Sequence, residues 1–201
     1  MVLGHLLRGG SPTALDRLLG LRFGAAAVRA IEEGQNGMMV GLQPPDVVYV
    51  PLGLCSGICG MLAARDALGL GTEVVGVVSA HATAYAESFA ARTPVEAPVS
   101  TRLADGMACR VVEPAALELI LAGVERIVRV TDAEIAGAMK LLFECTHNVA
   151  EGAGAAAVAA ATQEMARIAG RRIGVVLSGA NVDREIFVEV LAGADPAKAR
   201  G

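Results

Sequence analysis

With 201 residues, 54% of them hydrophobic and 19% charged, the chain suffices for one domain or one and a half with a large core, which excludes disorder. A net charge of −4 without any basic run excludes nucleic acid as a partner. The four dispersed cysteines (Cys55, Cys59, Cys109 and Cys145) read as free buried thiols in a reducing compartment, and no charged-then-apolar leader is present, so a cytoplasmic setting is expected.

Residues 1–10 are an apolar run ending in His5, Arg8 and two glycines. Ser11-Pro12 predicts a helix start, with Ser as N-cap. The apolar spacing of Leu15, Leu18, Leu19, Ala26, Ala30 and Ile31 carries that helix, which Gly24 is expected to divide and Gly34 to end. Met38 to Leu42 reads as a short strand, and Gln43 to Asp46 as a turn.

Val47 to Ala64 (VVYVPLGLCSGICGMLAA) organises the rest. Val47 to Leu52 reads as a buried strand, Gly53 to Gly57 (GLCSG) as a tight turn, and Ile58 to about Leu68 as a helix. Strand, small-residue turn and helix N-terminus can together cradle a phosphate. The same pattern also serves an ordinary strand-to-helix connection. The stretch holds 18 residues without a charge, but Pro51, Ser56 and its glycines fit strand–turn–helix, so no membrane span is expected. Beyond it, Glu73 to Val78 is a strand, Ala82 to Ala91 a helix, Leu103 to Gly106 a turn and Pro114 to Ala122 a helix. Arg126 to Val130 is a strand, and Thr131 with Glu134 forms a capping box ahead of a helix with Ile135, Met139, Leu142 and Phe143 on one face. Glu151 opens a small-residue helix to about Ile168. Arg172 to Leu177 reads as a buried strand, ending in the turn Ser178-Gly-Ala-Asn181. In open α/β sheets, ligands sit outside the carboxyl ends of strands, where both small-residue turns fall. The expected fold class is therefore α/β, with a mainly parallel sheet flanked by helices.

Two resemblances accompany this reading. The run GHLLRGGSPTALDR and its continuation to about residue 45 resemble the C-terminal segment of ATP-dependent 6-phosphofructokinase. That likeness implies sugar-phosphate contacts for His5 and Arg8, although the family's ATP loop and catalytic aspartate have no counterpart here. From about Asp46 to Gly193, the motifs VVYVPLGLCSGICG, EVVGVVS, LADGMACR, TDAEIAGAMKLLFECTHNVAEGAGAA and VVLSGANVD resemble the C-terminal half of threonine dehydratase, a pyridoxal-phosphate enzyme of fold type II related to serine dehydratase and serine racemase. The whole then resembles a chimera: a phosphofructokinase-like α/β segment over 1–45, and a partial, Rossmann-like cofactor domain over 46–201.

The second resemblance implies that the cofactor is pyridoxal 5′-phosphate. Its phosphate would be held by the backbone amides of Gly53, Leu54, Cys55, Ser56 and Gly57, and its pyridine nitrogen by Ser178, with Glu151 nearby. The substrate would be a hydroxy amino acid, converted to a 2-oxo acid and ammonia. Three departures qualify this. The family commonly has glycine at Cys55, where a positive φ would strain a cysteine. The metal site of serine racemase needs carboxylates where Ser79-Ala80-His81 stands, so no metal is expected. The lysine that bonds the cofactor lies in the family's N-terminal half. The two lysines here, Lys140 in mid-helix and Lys198 in the polar tail, are not expected to replace it. Cofactor binding would then be non-covalent and lyase activity weak or absent; the alternatives are a sugar-phosphate-binding fragment of the phosphofructokinase type and a non-catalytic α/β scaffold, designed or chimeric. Part of a cofactor domain also leaves apolar surface open, which suits a homo-oligomer.

Overall fold

The computed structural model describes residues 13–41 and 43–193, which fall into two compact units divided between Gln43 and Pro44. In the first unit, helix α1 spans Ala14–Glu32. Thr13 is its N-cap: the Thr13 hydroxyl accepts the Asp16 N–H at 3.2 Å, while the Asp16 carboxylate accepts the Thr13 N–H at 2.9 Å. The expected cap, Ser11-Pro12, lies outside the described residues. Gly24 does not divide the helix. One glycine costs a helix only about 1 kcal/mol, too little to break a run otherwise rich in Ala and Leu. Residues 38–41 form no strand either: Met38 and Met39 are exposed, and no described strand pairs with them.

The second unit is an α/β layer structure. Strands β1 (Val47–Pro51), β2 (Glu73–Ser79), β3 (Arg126–Val130) and β4 (Ile173–Val175) form one parallel sheet in the order β3-β2-β1-β4. Between them run α2 (Ser56–Ala67), α3 (Ala84–Ala91), α4 (Pro114–Gly123), α5 (Asp132–Thr146) and α6 (Gly152–Gln163), and α7 (Arg184–Leu191) follows β4. A parallel sheet needs helices on both faces, and alternate strand residues divide accordingly. Val47, Tyr49, Val75 and Val77 face a core with Ile135 and Met139 of α5 and the alanines of α6. Val48, Val50, Leu52, Val74 and Val78 face a second core with Ile58 and Leu62 of α2, Tyr85 of α3, and Leu117 and Ile120 of α4.

Helix α6 is the innermost. Gly152 to Ala157 are nearly all buried, which is how a helix apolar all round must sit. It stops at Gln163, short of the expected Ile168, where Glu164 turns to bind Arg126 and Tyr49. Strand β4 is shorter than the expected Arg172–Leu177 and not buried: as an edge strand it has β1 on one side only, and Val175 and Leu177 are exposed. Helix α7 has no counterpart in the sequence reading. It packs on α5 through an edge-on contact of Phe187 with Phe143, ring centres 5.5 Å apart.

From β1 the chain steps outward to β2 and β3, then returns across the sheet to β4 on the other side of β1. The carboxyl ends of β1 and β4 therefore flank a topological switch point, the place where open α/β sheets offer a crevice to ligands.

Candidate functional site

Two turns leave the sheet at this switch point, and each is shaped by a close approach of backbone. After β1 the chain passes through Gly53 and Leu54 to Cys55, whose φ of 64° lies in the left-handed region. That sharp turn makes Ser56 the first residue of α2, two residues ahead of the expected Ile58. A side chain on Gly53 would strike the carbonyl oxygen of Gly106, in the 3-10 turn Asp105–Met107. Among the described residues, no acceptor pairs with the amides from Gly53 to Gly57. Ser56 and Gly57 are exposed, and a methyl group on Gly57 would meet open space. Unpaired N–H groups at the N-terminus of a twelve-residue helix suit an anion such as a phosphate ester.

Cys55 itself faces inward. It is 3% exposed, and its thiol donates to the Gly53 carbonyl at 3.3 Å. Burial pushes that thiol up to about 12, so it stays protonated and keeps its hydrogen to donate. The buried Tyr85 hydroxyl adjoins the sulfur and accepts the Glu113 N–H at 3.1 Å. The left-handed conformation costs a non-glycine residue about 1–2 kcal/mol.

The second turn lies against the start of α6. The Glu151 N–H donates to the Gly179 carbonyl at 3.1 Å, and the Glu151 carboxylate accepts the Asn181 N–H at 2.9 Å. Side chains on Gly152 and Gly154 would strike the carbonyls of Leu103 and Gly179, so these glycines let α6 touch both loops. A methyl on Gly106 would come within 3.0 Å of Ala153 and 3.6 Å of the Glu151 carboxylate. Gly53, Gly106, Glu151 and Gly179 thus form a continuous chain of contacts, with the exposed Ser178 one residue from its end. Beside it opens a cleft of about 520 Å³, lined by Arg102, Asp105, Gly106, Glu151, Asn181 and Asp183 among others.

Of the residues singled out in the sequence, Gly53 and Glu151 are therefore brought together through Gly106, and Cys55 is bonded to the Gly53 carbonyl. Leu54 is 87% exposed. His5, Arg8 and Lys198 lie outside the described residues. Gly106 and Asn181 had no role in the sequence reading; the glycine of LADG and the asparagine of SGAN were signals of turns, but the contacts that make them matter span 53 and 30 residues of sequence. All four cysteines are free, but of the thiols expected to be buried only Cys55 is, and Cys145 is exposed because it lies on the outer side of α5; among the described residues no group of His, Cys, Asp and Glu could hold a metal ion. Lys140 pairs with Glu144 on α5 at 3.8 Å.

Phenylserine dehydratase of Ralstonia pickettii is 35% identical over 147 residues, 73% of this chain and 45% of that enzyme. The processed form of threonine deaminase isoform 2 from Solanum lycopersicum superimposes with a TM-score of 0.70 at 27% identity, covering 76% of this chain and 46% of that one. The chain thus spans less than half the length of these two relatives. A separate, shorter likeness links 50 residues, 25% of the chain, to ATP-dependent 6-phosphofructokinase 2 of Bacteroides thetaiotaomicron at 58% identity, over 15% of that enzyme. The family model described as pyridoxal-phosphate dependent enzyme matches residues 26–179, which include the sheet, the Gly53–Gly57 turn and α6 and end within the second turn, and the chain belongs to that family.

Proposed function

We propose that the chain binds pyridoxal 5′-phosphate at the Gly53–Gly57 turn, as a unit of a threonine/serine dehydratase-type ammonia-lyase acting on a hydroxy amino acid. The observation that carries this reading is the set of unpaired amides from Gly53 to Gly57 at the start of α2, on a turn that Gly106 packs against. In this reading the amides of Gly53, Leu54, Cys55, Ser56 and Gly57 hold the phosphate. The Ser178 hydroxyl partners the pyridine nitrogen, and Glu151, anchored on the Asn181 amide, lies beside the ring. When bound, the cofactor supplies an electron sink for a carbanion at the amino acid's α-carbon. A neutral hydroxyl at Ser178 brings no positive charge to the ring nitrogen, which suits β-elimination rather than transamination.

Residues 46–201 would be the cofactor region and 1–45 a phosphofructokinase-like segment, a chimeric arrangement supported by the division into two units between Gln43 and Pro44. We infer that the chain alone holds the cofactor non-covalently and eliminates water weakly or not at all, because Lys140 is engaged with Glu144 on an exposed stretch of α5. The exposed Leu54, Val175 and Leu177 support self-association. A second reading, sugar-phosphate binding through His5 and Arg8, is favoured by the short phosphofructokinase likeness. It predicts that fructose 6-phosphate raises the melting temperature and that His5→Ala abolishes the rise.

The deciding experiment is titration with pyridoxal 5′-phosphate, followed by absorbance and thermal shift, then borohydride reduction and peptide mapping. Saturable stabilisation without a reduced lysine adduct is the expected result. An adduct at Lys140 or Lys198 would overturn the non-covalent reading, and no binding would overturn the cofactor reading.

A further inference from the structure

Cys55 combines three properties in one residue: a left-handed backbone, near-complete burial, and a thiol bonded to the carbonyl two residues before it. A glycine would adopt φ 64° without cost, so strain alone gives no reason for a cysteine here. What the cysteine adds is a tether. Its thiol pulls the Gly53 carbonyl toward the protein interior, and a peptide whose carbonyl points inward presents the following N–H to the opposite side. The tether is backed from behind. Tyr85 of α3 adjoins the sulfur, and its hydroxyl is fixed in turn by the Glu113 N–H at the start of α4. Three elements of the second core therefore bear on one peptide of the turn.

We propose that Cys55 is a positioning residue of the phosphate cradle: its inward thiol, held to the Gly53 carbonyl and backed by Tyr85, fixes the turn in the shape that presents the 53–57 amides to the ligand. This rests on the cofactor reading above. Its signature is a separation of stability from affinity. Cys55→Gly removes the strained conformation, the tether and a buried side chain together, so the gain from lost strain and the loss of burial offset and ligand-free stability changes little while the cradle loosens. If the cysteine were only a tolerated core residue, stability would change and affinity would not.

The test uses the full chain and measures the ligand-free melting temperature together with the dissociation constants of pyridoxal 5′-phosphate and inorganic phosphate. Relative to the parent, Cys55→Gly is expected to bind pyridoxal 5′-phosphate about fivefold more weakly, the equivalent of one ordinary hydrogen bond, with a melting temperature within a few degrees of the parent's. Cys55→Ser keeps a donor in place and is expected to stay within about twofold, and Tyr85→Phe to lose about threefold. Phosphate should follow the same order, since the effect lies at the cradle and not at the ring. Parental or tighter binding by Cys55→Gly overturns the proposal. Should that variant not fold, the other pair decides: equal affinities for Cys55→Ser and Tyr85→Phe overturn it as well. A parent chain that binds neither ligand instead overturns the cofactor reading itself, an outcome visible before any variant is made.

Discussion

Gly57 stands in the first turn of α2 with open space where a side chain would go and a backbone conformation that any residue adopts. A negative charge there has two opposite effects. It complements the partial positive charge of the helix N-terminus, which favours the folded chain by about 0.5 kcal/mol. It also occupies the position of the proposed ligand with the same sign of charge, which at about 5 Å and an effective dielectric near 20 costs roughly 3 kcal/mol per unit charge. Gly57→Asp should therefore melt at or slightly above the parent temperature in the absence of ligand, and bind pyridoxal 5′-phosphate at least about tenfold more weakly. Calorimetry of the ligand-free chain and titration of the same sample check both halves. Gly53 is the contrasting case, because the Gly106 carbonyl fills the space a side chain would need.

The same contrast separates whole helices. In α1, a methyl on Gly24 meets nothing, so Gly24→Ala should gain about 0.5–1 kcal/mol and raise helix content in far-ultraviolet circular dichroism. In α6, a methyl on Gly154 meets the Gly179 carbonyl, so Gly154→Ala should lose about 1–3 kcal/mol in urea unfolding despite the better helix former. Only the first of these outcomes follows from the local sequence, and that is where legibility ends more generally. Strands β1 and β2 could be read because they are apolar runs bounded by turns, β3 because its residues alternate, and the Thr131–Glu134 capping box because its partners are three residues apart. The left-handed Cys55 could be anticipated from the glycine that relatives carry there. Strand β4 was misjudged because an apolar run does not say whether it has one neighbour or two. Helix α7 was missed although Asp183, ahead of the apolar pair Ile186 and Val190, carries a helix-start pattern. Gly106 could not be assigned at all, since its role is a contact with Gly53 across the fold.

At the scale of the whole molecule, the sheet separates its two ends. The carboxyl end of β1 carries the unpaired amides, while the amino ends of the strands carry a network of ion pairs. There Arg172 binds Asp46 at 2.6 Å, Arg171 binds Glu73 at 2.7 Å, and Arg126 binds Glu164 at 2.6 Å, with the Tyr49 hydroxyl donating to Glu164 at 2.7 Å. The bond to Arg172 holds the Asp46 carboxyl down at about 2, from an ordinary 3.8, and bonds to Arg171 and Arg126 hold Glu73 and Glu164 below their ordinary 4.5. Each carboxyl is thus harder to protonate folded than unfolded. As pH falls, the unfolded chain takes up protons first, so the contribution of these pairs is complete above about pH 5 and is lost as pH drops through the depressed values. The melting temperature should accordingly hold level from pH 7 to about 5 and fall steeply between about 4.5 and 2. Glu164→Gln removes the nearest anion from the Arg126 guanidinium, leaving it the Glu73 carboxylate at 3.5 Å, and should cost about 1–3 kcal/mol at neutral pH. That variant should also show a shallower acid slope, because one proton-linked pair is gone. Its affinity for pyridoxal 5′-phosphate at pH 7 should match the parent's, since the network and the cradle lie at opposite ends of the strands. A Glu164→Gln chain with an unchanged acid slope would remove the ion network as the origin of acid lability.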